Sequence, residues 1–493
     1  MAVIFSLEKI MLSQLPHMEL WKHFIEFCAI PRPSKQEQAI VTYIRQQGEK
    51  HGAIVEQDKT GNVLLRVPAT ENYEKSPITA LQSHVDMVAQ ANSDSQHDFT
   101  KDPLQLQIVD GWLKATGTTL GADNGIGCAA MLALMTDKTI KHGPLELLFT
   151  VDEEAGMGGA FGLQAGWLKA QQLLNLDTEE EGEIYIGCAG GVDISSTLEL
   201  QWQASQGDLL RISLNGLLGG HSGVDIHANR GNANILLAQE LLSLSQLFDI
   251  QLQSFNGGTL HNAIPREAFV NVLTTESEPL IQWVNNRNTQ LKELYKQSEP
   301  QITLSIENYT IDENQALPNN QTTELLSLFA SHPNGVIKYS DDLPGVVESS
   351  NNLGIINLNP GKDLSMLNLC RSANNEERDA HALRIAHYQQ QFACKVKISG
   401  AYPGWKPNRN SPLLKQALML YQKLYNKEAM IQVIHAGLEC GLLSDVYPDC
   451  DIISFGPTIT DAHSPREQVN IASVDKFWDY LIKIIGELAE ISP

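Results

Sequence analysis

Residues 145–159 read LELLFTVDEEAGMGG. The mostly apolar opening lacks the alternation of a half-exposed strand and reads as a strand buried on both faces. It ends in three adjacent acids, Asp152, Glu153 and Glu154, and glycine-rich chain follows at once. Crowded like charges repel one another, and partial burial raises that cost. Either a cation sits where this strand runs out, or the acids form a solvated exit. Residues elsewhere in the chain decide between the two.

Working outward, GNVLLRV (61–67), ITALQSHVDMV (78–88) and QLLNLDT (172–178) share the same buried-strand texture, and GIGCAAMLALMTD (125–137) reads as a helix between them. Helical periodicity also marks MELWKHFIEFCAI (18–30) and residues 31–52, where Ser34 and Glu37 stand at capping-box spacing. Strands alternating with helices predict an α/β domain with a mixed, mostly parallel sheet. After GCAGGVDISS (187–196) the texture changes to strands and helices of a two-layer α+β domain, DLLRISLNGL through QWVNNRNTQLKELYKQ. A second set, beginning at QITLSIENYTI (301–311), makes two similar βαββ-like halves. SGAYPGWKPNRNSP (399–412) is a hinge, beyond which α/β texture returns. The expected organisation is one α/β domain in two sequence segments, 1–191 and 399–493, with an inserted domain at 192–398.

Acids and histidines recur at the predicted strand ends: His84 and Asp86 in SHVDMV, Asp123 in LGADNGIG, Glu153 and Glu154, Asp177 in LNLDTEE, and His463 in TDAHSPRE. Carboxyl ends of strands in an open α/β sheet converge on one crevice, and a pocket of imidazoles and carboxylates suits a divalent, zinc-type ion. His84 and Asp86, two apart on a strand, share a face, which fits a ligand imidazole held by an outer carboxylate. Of Glu153 and Glu154, one reads as a ligand and the other as a proton shuttle. Taken singly, each signal has a plainer reading: Asp123 as a helix N-cap, and Glu179–Glu181 as a solvated strand end.

The order HVD, GADNG, VDEEAG, LDTEE, GGHSG, HNAIP and DAHSPRE resembles the di-zinc metallopeptidases that include carboxypeptidase G, aminoacylases and succinyl-diaminopimelate desuccinylase. AIPRPSKQE, LQSHVDMV, TVDEEAGMGGA, GLLGGHSGVDIH and YPGWKP are similar to the aminoacyl-histidine dipeptidase branch of that family. The resemblance spans nearly the whole chain. It implies two Zn²⁺ per chain, with Mn²⁺ or Co²⁺ as possible substitutes, bridged by Asp123. His84 and Asp177 would complete one ion's ligands, and Glu154 and His463 the other's. Asp86 would orient His84, and Glu153 would be the general base. A cis peptide would follow Asp123. His221 of the inserted domain, then a lid, would stabilise the oxyanion, although alone it reads as a glycine-loop surface histidine. Asn262 and Arg371 would hold the substrate carboxylate, and Gly437 would line the substrate loop. Glu439 is the candidate for the substrate's α-amino group.

Bulk properties agree with that class. The 493 residues exceed one ordinary core. The 35 Lys+Arg against 58 Asp+Glu give a net charge of −23, a poor match to nucleic acid or anionic membrane. Seven scattered cysteines without a CxxC pair indicate free thiols. MAVIFSLEKI lacks a basic stretch followed by a long apolar core, and no run approaches the roughly 18 apolar residues of a membrane span. The expectation is a cytoplasmic, homodimeric dipeptidase for unblocked Xaa-His substrates. The rivals are an N-acyl-amino-acid deacylase of the same fold and a non-catalytic metal-binding scaffold.

Overall fold

The computed structural model describes residues 15–310 and 315–490. The N-terminal stretch read as free of a secretory leader lies outside them. Contacts divide the chain into two units. One comprises residues 1–187, 407–433 and 439–493, and the other 188–406 and 434–438.

The first unit is built on an eight-stranded sheet. Its strands lie in the order Ile54–Gln57, Val63–Val67, Leu145–Thr150, Thr79–His84, Gln172–Asn175, Asp451–Ser454, Glu183–Cys188 and Met430–Ile434. Parallel pairing joins the central strands, from Leu145–Thr150 to Asp451–Ser454. The hairpin Ile54–Val67 and the strand Glu183–Cys188 pair antiparallel with their neighbours, so the sheet is mixed, as expected. Every residue of Leu145–Thr150 and Thr79–His84 is buried, as doubly covered central strands require. The helix Ala122–Thr136 is apolar all round and buried from Asn124 to Met135, the signature of a helix inside a core. It shares that core with Trp21, Phe24 and Phe27 of the helix Met18–Ala29.

Ser34 and Glu37 form no capping box. The helix begins at Gln38 without a side-chain cap. The Ser34 hydroxyl instead donates to Asp86, and Glu37 accepts the main-chain N–H of Lys35 and Asp152. Local spacing suits a cap, but stronger partners from distant loops take both side chains.

The second unit has a nine-stranded sheet whose two halves share one topology, βαββαβ. In the first half the strand order is Thr303–Asn308, Asp208–Asn215, Ala268–Thr274, Ile250–Gly257. In the other half it is Lys395–Tyr402, Gly190–Leu198, Leu364–Ser372, Val347–Leu358, and the ninth strand, Gly335–Tyr339, pairs with Val347–Leu358 outside that order. The halves meet antiparallel, with Phe255 opposite Leu358 and Gly257 opposite Ile356. They are interleaved in sequence. Gly190–Leu198 precedes the whole first half yet belongs to the second, and Thr303–Asn308, read as opening the second set, closes the first. Boundaries at 192 and 398 therefore cut through two strands paired with each other. The unit runs on to Lys406 and takes in Ile434–Leu438, whose Ile434 and Ala436 carbonyls both accept Ala189 N–H.

Candidate metal centre

His84 is the last residue of its strand, and Asp86 follows two residues on. Asp123 lies at the start of the Ala122–Thr136 helix, where it and Asn124 have non-helical dihedrals and share a cis peptide bond. Glu153 and Glu154 leave the Leu145–Thr150 strand after Asp152, which turns with φ 56°. Asp177 comes two residues after Gln172–Asn175. His463, at φ 61°, sits between the short strands Ile459–Thr460 and Gln468–Asn470. The three strands bearing His84, Glu153/Glu154 and Asp177 are mutually parallel neighbours, so their carboxyl ends open on the same side.

Side chains from these separate segments meet. His84 Nε2 is 3.0 Å from Asp123 Oδ1 and 3.3 Å from Asp177 Oδ1. His463 Nε2 is 3.2 Å from Asp123 Oδ2 and 3.1 Å from Glu154 Oε2. Asp123 thus turns one oxygen to each imidazole, and two donor sets share a single carboxylate. Ligand atoms of His84, Asp123 and Glu154 all lie within 4.8 Å of one another. Glu154 Oε1 is buried without a hydrogen-bond partner among the described residues. Four nitrogen and oxygen donors around a shared carboxylate, with no sulfur among them, fit a pair of divalent cations.

Asp86 organises the neighbourhood. It is fully buried; Oδ1 lies 3.4 Å from His84 Nδ1 and accepts Glu153 N–H at 3.0 Å. Oδ2 accepts Ser34 Oγ–H at 2.8 Å and Glu154 N–H at 3.1 Å. One carboxylate therefore orients a ligand imidazole and holds the DEE exit loop against it, as outer partners of metal ligands do.

The electrostatics are those of a site made for cations. Burial drives the carboxyls of Glu153 and Glu154 upward, reinforced for Glu153 by Asp177, Glu439 and Glu154 and for Glu154 by Asp123. Asp177 is raised to about 6, chiefly by burial. Hydrogen bonds donated to Asp123 and Glu154 push His463 up to about 11. Burial would lower His84, but Asp177, Asp123 and Asp86 outweigh it and raise it well above the usual range. Protonated imidazoles thus neutralise acids that cations would otherwise hold. Glu179, read as part of a solvated strand end, is half-buried instead; burial, then Asp123, raises it to about 8.

Glu439 is placed differently from its expected substrate-facing role. It is fully buried, with Oε2 accepting Gln82 Nε2–H and Thr150 Oγ–H, both at 2.6 Å. Burial raises its carboxyl to about 8. Oε2 thus braces the sheet beneath the strand ends, while Oε1 is buried without a hydrogen-bond partner among the described residues.

The remaining candidates lie on the second unit. His221 Nδ1 accepts the main-chain N–H of Gly223 at 3.2 Å and Val224 at 3.0 Å. Burial, then the charge of Arg371, lowers its pKa to about 4, so the ring is neutral and carries its proton on Nε2. Fully buried Glu299 closes the loop bearing it, accepting Leu218 N–H at 2.7 Å and Gly231 N–H at 2.6 Å. A Cβ at Gly223 would collide with the His435 carbonyl, which explains the glycine after His221-Ser222. Arg371 is buried rather than a sheet-surface charge; it donates to Tyr402 OH at 2.7 Å. Its Nε has no partner, and no carboxylate pairs with it among the described residues. Asn262 is half-buried, its carbonyl accepting Ser222 N–H, and Gly437 lies in the Ile434–Leu438 segment. Two buried groups missed by the reading of motifs, Arg32 and Glu467, grip the backbone around Asp123.

The model of peptidase family M20/M25/M40 matches residues 80–487. The chain is 44% identical to the cytosol non-specific dipeptidase of Escherichia coli over 481 residues, 97% of this chain and 99% of that protein. The crystal structure of aminoacylhistidine dipeptidase from Vibrio alginolyticus superposes with a TM-score of 0.88 at 43% identity, covering 97% of this chain and 98% of that one. A tripeptidase from Staphylococcus aureus, at 16% identity and a TM-score of 0.56 over 97% and 100% of the chains, shares the fold.

Proposed function

The chain belongs to peptidase family M20/M25/M40, typically dinuclear metal enzymes, and from that premise we propose that it is a metal-dependent dipeptidase for unblocked dipeptides, favouring Xaa-His. The observation that carries this reading is Asp123 facing His84 with one oxygen and His463 with the other. His84, Asp123 and Asp177 would hold one ion, and Asp123, Glu154 and His463 the second. Zn²⁺ is the proposed metal, and Mn²⁺ or Co²⁺ suit the same donors. When bound, such a pair supplies Lewis-acid activation of water and of the scissile carbonyl.

The chain's own residues account for the rest. Glu153 lies beside the ligands, and its raised affinity for protons suits a general base. It takes the proton that water loses on attack and returns it to the departing amine. His221, a neutral ring with its Nε2–H uncommitted, is the proposed donor to the developing oxyanion. Arg371, a buried guanidinium without a carboxylate, suits the dipeptide's C-terminal carboxylate, with Asn262 and Gly437 beside that role. Glu179 takes over from Glu439 as the acid proposed to meet the free α-amino group, since it is only half-buried and makes no side-chain hydrogen bond among the described residues.

A cytoplasmic location and a homodimer formed through the lid complete the proposal. Among the described residues, no helix is long and apolar enough to cross a membrane. The test is a panel of Xaa-His dipeptides, other dipeptides and N-acetyl amino acids, assayed with metal-loaded protein. Turnover of N-acetyl substrates alone would establish the deacylase. No turnover at all, with metal bound, would establish a scaffold.

A further inference from the structure

The segment Leu120–Asp123 brings the shared carboxylate to the centre, and two buried side chains hold its backbone by opposite polarity. Glu467 is 2% exposed, and both its oxygens face main-chain amides. Oε2 accepts Leu120 N–H at 2.8 Å and Gly121 N–H at 3.0 Å, while Oε1 accepts Ala122 N–H at 2.8 Å and Asp123 N–H at 3.4 Å. Arg32 is 1% exposed and takes the carbonyls. Its Nη2 donates to Gly121 O at 2.5 Å, and its Nη1 donates to Val85 O and Asp86 O, each at 3.0 Å. Arg32 forms no ion pair among the described residues, and neither does Glu467. Each buried charge is balanced by peptide dipoles of the segments that carry His84, Asp86 and Asp123.

The sequence is shaped around this grip. Gly121 has φ 66°, and a Cβ there would collide with the Arg32 guanidinium; a Cβ at Gly125 would come within 2.7 Å of it. Glu467 lies four residues beyond His463 and next to the strand Gln468–Asn470, which pairs with Trp112–Ala115. One carboxylate thus couples the loop of His463 to the loop of Asp123.

We propose that Arg32 and Glu467 act as paired positioning residues that set the spacing of Asp123 relative to His84 and His463, and so the affinity of the dinuclear site. This rests on the metal reading above. Neither residue touches substrate or supplies a ligand atom. Their contribution is to fix ligand-bearing backbone before an ion arrives, the role of outer partners whose loss typically weakens metal binding about 10–100-fold.

The test uses the full chain with Glu467→Gln and, separately, Arg32→Lys. The first substitution would turn an amide donor towards main-chain donors, and the second puts in a lysine, which cannot span three carbonyls. Glu146→Gln is the control: Glu146 is equally buried and accepts Lys169 and Ala170 N–H away from the ligands. Zn²⁺ affinity is measured by competition with a chromophoric chelator, alongside circular dichroism, the Tm of the metal-free protein, kcat and KM. The proposal expects metal affinity to fall at least tenfold in either folded positioning variant, and kcat to fall at limiting metal with KM little changed. The control should lose Tm but keep its affinity within about twofold. Wild-type affinity in a folded Glu467→Gln or Arg32→Lys protein, or an equal loss in the control, overturns the clamp alone. A wild-type chain that binds no divalent ion overturns the metal reading and the clamp together.

Discussion

Neutralising Glu153 and Glu154 one at a time should separate proton transfer from metal retention. Glu154 Oε2 lies 3.1 Å from His463 Nε2 and belongs to the cluster of donor atoms. The Glu153 side chain makes no hydrogen bond among the described residues, and its burial beside Asp177, Glu439 and Glu154 makes it a stronger base than a free carboxylate. Glu153→Gln should bind two ions per chain as before and lose about 10²–10⁴-fold in kcat, the range for a general base. At 1.36 kcal/mol per decade that is about 3–5 kcal/mol of barrier. Glu154→Gln replaces an anionic donor with a neutral amide, and should leave closer to one ion per chain at limiting metal. Its activity should recover in part with excess metal, whereas that of Glu153→Gln should not respond. The assay combines metal analysis after dialysis with kcat on an Xaa-His dipeptide across a metal titration. Metal loss in Glu153→Gln, or full stoichiometry with metal-insensitive failure in Glu154→Gln, would reverse the two assignments and refute the reasoning.

Other outcomes follow from the same geometry. His221→Ala should lower kcat about 10²–10³-fold, the scale of losing one oxyanion donor; a change confined to KM would remove it from that role. Arg371→Gln should raise KM for dipeptides at least tenfold, since charged hydrogen bonds contribute about 1.5–3 kcal/mol. Dipeptide amides should lose far less, and equal losses for both would discard the carboxylate contact. Stabilisation by metal should grow with pH. In the metal-free protein His463 is raised to about 11, and His84 is raised too, so their ion pairs stabilise fully below the ordinary histidine value near 6.5 and weaken progressively towards 11. Metal binding requires the deprotonated rings. The rise in Tm on adding Zn²⁺ should therefore be larger at pH 8.5 than at pH 6, and the opposite trend would contradict this account.

How much of this was legible beforehand depended on the kind of interaction involved. Doubly buried strands announce themselves by composition, so the α/β core and the strand-end positions of His84, Glu153, Glu154 and Asp177 could be read directly. Family resemblance added the ligand set and the cis peptide, which the structure contains at Asp123–Asn124. Ser34 and Glu37 misled, because spacing describes a local option and cannot weigh it against a distant carboxylate or amide. Glu439 is fully buried where a substrate-facing acid is expected, and Glu179 is half-buried where a solvated one is, since the burial of an acid depends on what folds over it.

Sequence by itself determined which residue types stand at the strand ends, and hence the class of chemistry, because periodicity and residue identity are properties of the chain. Only the tertiary structure decided how the two halves of the inserted sheet interleave, since strand pairing joins segments more than a hundred residues apart. Tertiary structure alone also revealed Arg32 and Glu467 as the grip on Asp123. Their partners are main-chain amides and carbonyls, which every residue carries and no sequence motif can distinguish.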